Sequence, residues 1–273
     1  MTKKDDLYVD TSPDKPEKAH SILINFVLDK SGSMSSIRDA TISGFNEFKN
    51  DQAREDGEAY FTLTLFDTTF YTPITGVPLN RVRDLSYESY APGGMTALYD
   101  AIGRTMKLTD GWVAKHKPDQ VLFVIMTDGH ENSSREYTQR QIFDLIADRQ
   151  ANADYEFVFL GANQDSYAIG RDIGIRGGRT FDYDAEAAST RATMDRISLN
   201  VKAYRRHGER QVAEWFAPEF ESLGVDDGVP LSEKKANYLA EQGRKGLDAK
   251  QGTRGRSDYG GQNDADKNPD KHH

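Results

Sequence analysis

Ser21-Ile-Leu-Ile-Asn-Phe-Val-Leu28 is an apolar run with one polar interruption, and it stops at Asp29. A short run of this kind, followed by the turn-like Lys30-Ser-Gly-Ser-Met34, predicts a central strand covered on both faces. Two similar runs follow: Val121–Met126 leads into Thr127-Asp-Gly129, and Tyr155–Leu160 is ended by Gly161. Between Ala59 and Phe66 the residues Tyr60, Thr62 and Thr64 alternate with Phe61, Leu63 and Leu65. That period of two is a strand signature. Asp67-Thr-Thr then makes a tight connection, and Phe70–Thr75 returns as the second arm of a hairpin.

The remaining segments repeat at helical spacing. Ile37, Ala40, Ile42, Phe45 and Phe48 fall mostly on one face of a helix over Ser35–Arg54. Ala97, Leu98, Ile102, Met106 and Leu108 form the stripe of a helix over Thr96–His116. Thr138 is placed to cap a helix carrying Ile142, Leu145 and Ile146. A short helix over Gln164–Asp172, an edge strand over Arg179–Tyr183 and a long helix over Ala185–Arg206, able to lie against the sheet, complete the pattern. Strands alternating with helices predict an α/β fold. Its sheet is open, Rossmann-like and mainly parallel, with one antiparallel edge strand and helices on both faces. There is no internal repeat.

Apolar residues thin out toward both ends. Residues 1–20 are polar with two prolines and are expected to be a flexible lead; residues 21–183 form the domain. A helical extension packed on it is expected over 184–225, and a polar, disordered tail over 226–273, with a transient helix at Lys234–Gln242. The net charge of -9 argues against nonspecific nucleic-acid binding, which needs a cationic surface. One basic cluster, Lys202, Arg205, Arg206, His207 and Arg210, fits a solvated helix end. The chain has no cysteine, which excludes disulfides and thiolate metal sites. No apolar run approaches the ~20 residues needed to cross a bilayer, and no secretory signal is visible, so a cytoplasmic protein is expected.

Chemistry concentrates where the apolar runs stop. Ligands of open α/β sheets collect beyond the carboxyl ends of the strands, and Asp29-Lys-Ser-Gly-Ser33 begins there. One carboxylate and two hydroxyls are hard donors suited to Mg²⁺ or Ca²⁺. Gly93-Gly-Met-Thr96 leads into a helix, and Met126-Thr-Asp128-Gly129 ends a buried strand. If the strands of Asp29 and Asp128 are neighbours, Thr96 can complete a ring of oxygens. Other residues take plainer roles. His130 is expected on a loop surface, Asn132 in a turn and Asp67 in the hairpin. Gly93 and Gly94 would let their loop bend, while Tyr99 and Met106 pack. The pair His272 and His273 is incidental.

These three parts, in this order, resemble the metal-ion-dependent adhesion site of von Willebrand factor A domains, also called integrin I-like domains. The resemblance covers about Ile22 to Phe181. It implies Ser31 and Ser33 as direct ligands, Thr96 as a direct or water-mediated one, and Asp29 and Asp128 acting largely through water. The implied cofactor is Mg²⁺, with Mn²⁺ or Ca²⁺ also compatible. An open coordination position would accept a Glu or Asp of a protein partner. Gly93-Gly-Met-Thr-Ala-Leu-Tyr-Asp100, Thr127-Asp-Gly-His-Glu-Asn-Ser-Ser134 and Gly161-Ala-Asn-Gln-Asp165 are similar to stand-alone, intracellular A-domain proteins of bacteria and phages. The implied role is a non-enzymatic assembly module or adaptor. No G-x-x-x-x-G-K-[ST] loop is present, so an ATPase or chaperone working beside it would be a separate protein. Two alternatives stand: a Mg²⁺-dependent phosphoryl hydrolase using Asp29, and a structural component of a phage particle.

Overall fold

A computed structural model describes residues 20–153, 155–162 and 166–207. The lead expected before His20, Asn163-Gln164-Asp165, Arg210 and the extension beyond residue 207 lie outside the described residues. So do the polar tail, its helix at Lys234–Gln242, and the pair His272 and His273.

Six strands form one sheet. They are β1 (Ile22–Asp29), β2 (Ala59–Phe66), β3 (Phe70–Pro78), β4 (Gln120–Thr127), β5 (Tyr155–Ala162) and β6 (Thr180–Tyr183). Their order is β3-β2-β1-β4-β5-β6. Only β2–β3 is antiparallel; the other neighbours run parallel. The order reverses between β1 and β4. In a doubly wound sheet the connecting helices leave that point on opposite faces, which opens a crevice above the strand ends. Asp29 ends one of these two strands, and Asp128 follows the other.

The helices are α1 (Arg38–Ala53), α2 (Leu98–His116), α3 (Gln139–Asn152), α4 (Ser166–Asp172) and α5 (Ala187–His207). Side chains alternate across a strand, so each buried run feeds two cores. On one face Phe26, Phe45, Phe48 and Phe61 pack together with Met194, Ile197 and Val201 of α5. Phe26 meets Phe45 edge-on at 5.4 Å and Phe48 at 5.5 Å. On the other face Phe123, Phe157 and Phe159 pack with Ile102 and Met106 of α2 and Ile142 and Ile146 of α3. Tyr99 packs at the margin of that core, as its helical position predicts.

Several element boundaries differ from expectation. The helix expected from Ser35 starts as a 3-10 turn over Gly32–Ile37 and becomes α-helical only at Arg38. Strand β3 runs three residues past Thr75, to Pro78. Gly161 does not end β5: it pairs with Thr127 on one side and Asp182 on the other. A glycine inside a strand permits close neighbours without stopping the ladder. Thr62 and Thr64, two of the alternating positions of β2, are buried rather than solvent-facing. Thr64 Oγ1 lies 2.7 Å from Thr105 Oγ1 and 3.0 Å from Thr72 Oγ1, so its hydroxyl is satisfied inside the protein. The cap at Thr138 forms: Gln141 N–H donates to Thr138 Oγ1 (3.3 Å), and Thr138 N–H donates back to Gln141 Oε1 (2.9 Å).

Within the basic cluster Arg206 is exposed, as a solvated helix end would have it, but Arg205 is not. Arg205 is buried and donates to the carbonyls of Gln52 and Asp56, the latter at 3.1 Å, just past the C-terminus of α1. Lys202 Nζ lies 3.1 Å from Asp51, and Arg206 Nε 3.0 Å from Glu55. The last carbonyls of a helix lack intrahelical donors, and α5 supplies them here.

Candidate metal centre

Three loops meet at the crevice. Asp29 is fully buried, and both of its oxygens accept hydrogen bonds: Oδ1 from Ser31 N–H (2.6 Å) and Oδ2 from Thr127 Oγ1 (2.5 Å). Ser31 Oγ and Ser33 Oγ are 3.2 Å apart. Ser33 Oγ donates to Asp128 Oδ1 at 2.5 Å. A hydroxyl whose proton is given to a carboxylate keeps its lone pairs for another partner. Thr96 Oγ1 joins the group over Gly129. A Cβ built on Gly129 would fall 2.6 Å from Thr96 Oγ1, 3.5 Å from Ser31 Oγ and 3.6 Å from Asp29 Oδ2. The structure therefore brings together all five residues singled out in the sequence.

Backbone bonds fix the loops to each other. Gly93 N–H donates to the Lys30 carbonyl (2.7 Å), and Gly32 N–H donates to the Gly94 carbonyl (3.1 Å). Gly94 takes φ 76, which a side chain disfavours; Gly93 has open space where its Cβ would be. Thr96 is gripped at both ends. Its N–H donates to Asn132 Oδ1 (2.9 Å), and its carbonyl accepts from the N–H groups of Asn132 and Ser133 at 3.0 and 3.2 Å. Glu131 accepts from Tyr99 N–H at 3.0 Å, and Asp100 accepts from three successive N–H groups of Arg135, Glu136 and Tyr137.

Asn132 and Asp67 thus exceed the roles expected for them. Asn132 clamps the Thr96 loop rather than serving its own turn. Asp67 forms an ion pair with Lys30, and its carbonyl accepts from Ala97 N–H (2.8 Å). It ties the hairpin to both other loops. Thr127 and Tyr90 were not singled out in the sequence. Tyr90 is buried and its hydroxyl donates to the Asp29 carbonyl at 2.6 Å. Thr127 carried a signal, because a hydroxyl in a strand buried on both faces must find a partner. Tyr90 carried none. His130 is exposed, as expected.

The electrostatics are lopsided. Burial pushes the Asp29 carboxyl up to about 6, only partly offset by the hydrogen bonds from Thr127 and Ser31. Burial also raises Asp128. No cation pairs with either acid among the described residues, since Lys30 is turned to Asp67. Nor does any cluster of three His, Asp or Glu side chains suited to a metal occur there. An ion in this crevice would be held mainly by hydroxyls. Three hydroxyls and two carboxylates facing one small space, without a basic group, fit a hard divalent cation.

No family model matches the chain, and no curated protein matches it. Solved structures do. Proximal thread matrix protein 1 from the mussel byssus superposes with a TM-score of 0.50 at 14% identity, over 69% of this chain and 47% of that one. The PilB minor pilin of Streptococcus sanguinis gives 0.50 at 13%, over 70% and 63%. The vWF domain of the type V pili tip protein Mfa5 from Porphyromonas gingivalis gives 0.50 at 10%, over 68% and 96%. The fold is that of a von Willebrand factor A domain. This chain spans about half the length of the mussel protein. That protein is also known with a zinc-occupied MIDAS motif. At these identities the likeness to this chain is one of fold.

Proposed function

We propose that this von Willebrand factor A domain is a metal-dependent protein-binding module, with Mg²⁺ as its ion. Ser31, Ser33 and Thr96 would hold the cation through their hydroxyls. Asp29 and Asp128 would supply negative charge and orient the waters that complete the shell. The observation that carries this reading is the space above Gly129, bordered by Thr96 Oγ1, Ser31 Oγ and Asp29 Oδ2 and left open because residue 129 has no side chain. When bound, the ion would offer one electrophilic position to a carboxylate oxygen of a partner. Few direct anionic ligands would leave that position strongly attractive to an acid. Asn132 and Asp67 keep the three loops in register, so the partner meets a preformed site.

The hydrolase alternative is disfavoured by the same geometry. Asp29 is fully buried, and each of its oxygens already accepts a hydrogen bond that holds it in place. Ser31 stands where such enzymes need a second acid.

The test is affinity capture with the full chain from its native host, in Mg²⁺ and in EDTA, alongside Ser31→Ala/Ser33→Ala. Proteins retained only by the unaltered chain in Mg²⁺ are the expected result. An identical set under all three conditions would sink the proposal. A phosphatase assay run in parallel should give no turnover; metal-dependent turnover lost in Asp29→Asn would revive the hydrolase.

A further inference from the structure

A groove of about 700 Å³ runs between α2 and β3, away from the crevice. Phe70, Leu108, Trp112 and Tyr137 line it. Leu108 is 41% exposed and sits beside Trp112 on the groove floor, so the apolar surface there is contiguous rather than a single residue. Trp112 stacks on His116 (4.1 Å), meets Tyr60 at a tilt (5.0 Å) and is only partly covered. Large aromatic side chains held in place at a surface are frequent anchors of protein interfaces.

The rim is positive. Lys107 and Lys115 line the groove, are exposed, and form no ion pair among the described residues. The acid on the rim, Glu136, is already held by Arg104. In a chain of net charge -9, this is a local reversal of sign. From Arg104 to His116 the helix extends roughly 18 Å, or about three turns of a second helix laid beside it. Strand addition is disfavoured, because β3 carries exposed Pro73 and its pairing with β2 is irregular.

We infer that this groove docks an acidic amphipathic helix of a partner protein. Leucine or aromatic side chains of that helix fill the floor over Leu108 and Trp112, and its carboxylates meet Lys107 and Lys115. The inference does not rest on the metal site.

The test uses the full chain and a fluorescein-labelled synthetic helix of roughly 18 residues, with leucines and one tryptophan at helical spacing and glutamates elsewhere. A second peptide carries glutamine for every glutamate. Anisotropy should show saturable binding of the acidic peptide, about ten-fold tighter than the glutamine version. Lys107→Glu/Lys115→Glu and, separately, Leu108→Glu should each weaken it about ten-fold, with thermal unfolding unchanged because all three positions are exposed. EDTA should leave it unaltered, which separates this surface from the crevice. Equal binding by the variants, or no saturation up to about 1 mM, would overturn the inference. Sedimentation showing dimers that the charge reversal dissociates would assign the groove to a second copy and overturn it as well.

Discussion

Two polar clusters lie at opposite ends of β1 and resolve their charges differently. Where α5 crosses the end of α1, Arg205 is buried against the carbonyls of Gln52 and Asp56. Lys202 pairs with Asp51, and Arg206 with Glu55. Each of these three cations meets an oxygen, which makes the corner a joint between two helices. In the crevice between β1 and β4, the buried carboxylate of Asp29 and the half-buried one of Asp128 meet only neutral hydroxyls and backbone N–H groups. Both clusters are densely hydrogen-bonded, so bonding alone does not separate a joint from a site. The missing positive charge does. Burying an anion without a counter-charge is costly, and a fold that keeps Asp29 fully buried beside a second, half-buried acid has a reason outside its own stability.

The comparison breaks first if the corner proves dispensable. Arg205→Ala strips the donors from the end of α1 and should cost about 3 kcal/mol in chemical unfolding, while Mg²⁺ affinity stays unchanged. The crevice should respond to pH instead. Asp29 titrates at about 6 in the folded chain against 3.8 when free, so the folded state holds its proton more tightly. Metal-free protein should therefore lose about 2–3 kcal/mol as the pH rises from about 4 to about 6, and then level off. Asp29→Asn should flatten that slope in urea titrations; a slope of the opposite sign would mean the acid already has a cation.

Smaller changes sharpen the contrast. Gly129→Ala places a methyl group 2.6 Å from Thr96 Oγ1 and should weaken Mg²⁺ binding about 30-fold, or about 2 kcal/mol, in calorimetry. Asn132→Ala releases the N–H end of Thr96 from its clamp, leaving the two backbone bonds to its carbonyl, and touches no ligand. Affinity should fall about five-fold, or about 1 kcal/mol, and an unchanged value would make the clamp irrelevant to the site.

Much of this was legible in the sequence, for physical reasons. Strands buried on both faces must be continuous apolar runs, so β1, β4 and β5 announce themselves. The candidate ligands sit where those runs stop, within loops of a few residues, so Asp29, Ser31, Ser33 and Asp128 are visible locally. What stayed hidden depends on partners far along the chain. Arg205 looks like a surface base until Gln52, 153 positions away, is seen beneath it. Asn132 looks like a turn residue until the Thr96 backbone is placed beside it. Asp67 looks like hairpin punctuation until Lys30 turns toward it. Periodicity reports burial, not the identity of the neighbour.

The most direct measurement is calorimetric titration of Mg²⁺, then Mn²⁺, into the metal-stripped full chain and into Ser31→Ala/Ser33→Ala, with circular dichroism on both. One saturable site in the unaltered chain, absent from a folded double variant, is the expected result. Equal binding by both would show that the hydroxyls of the first loop do not hold the ion.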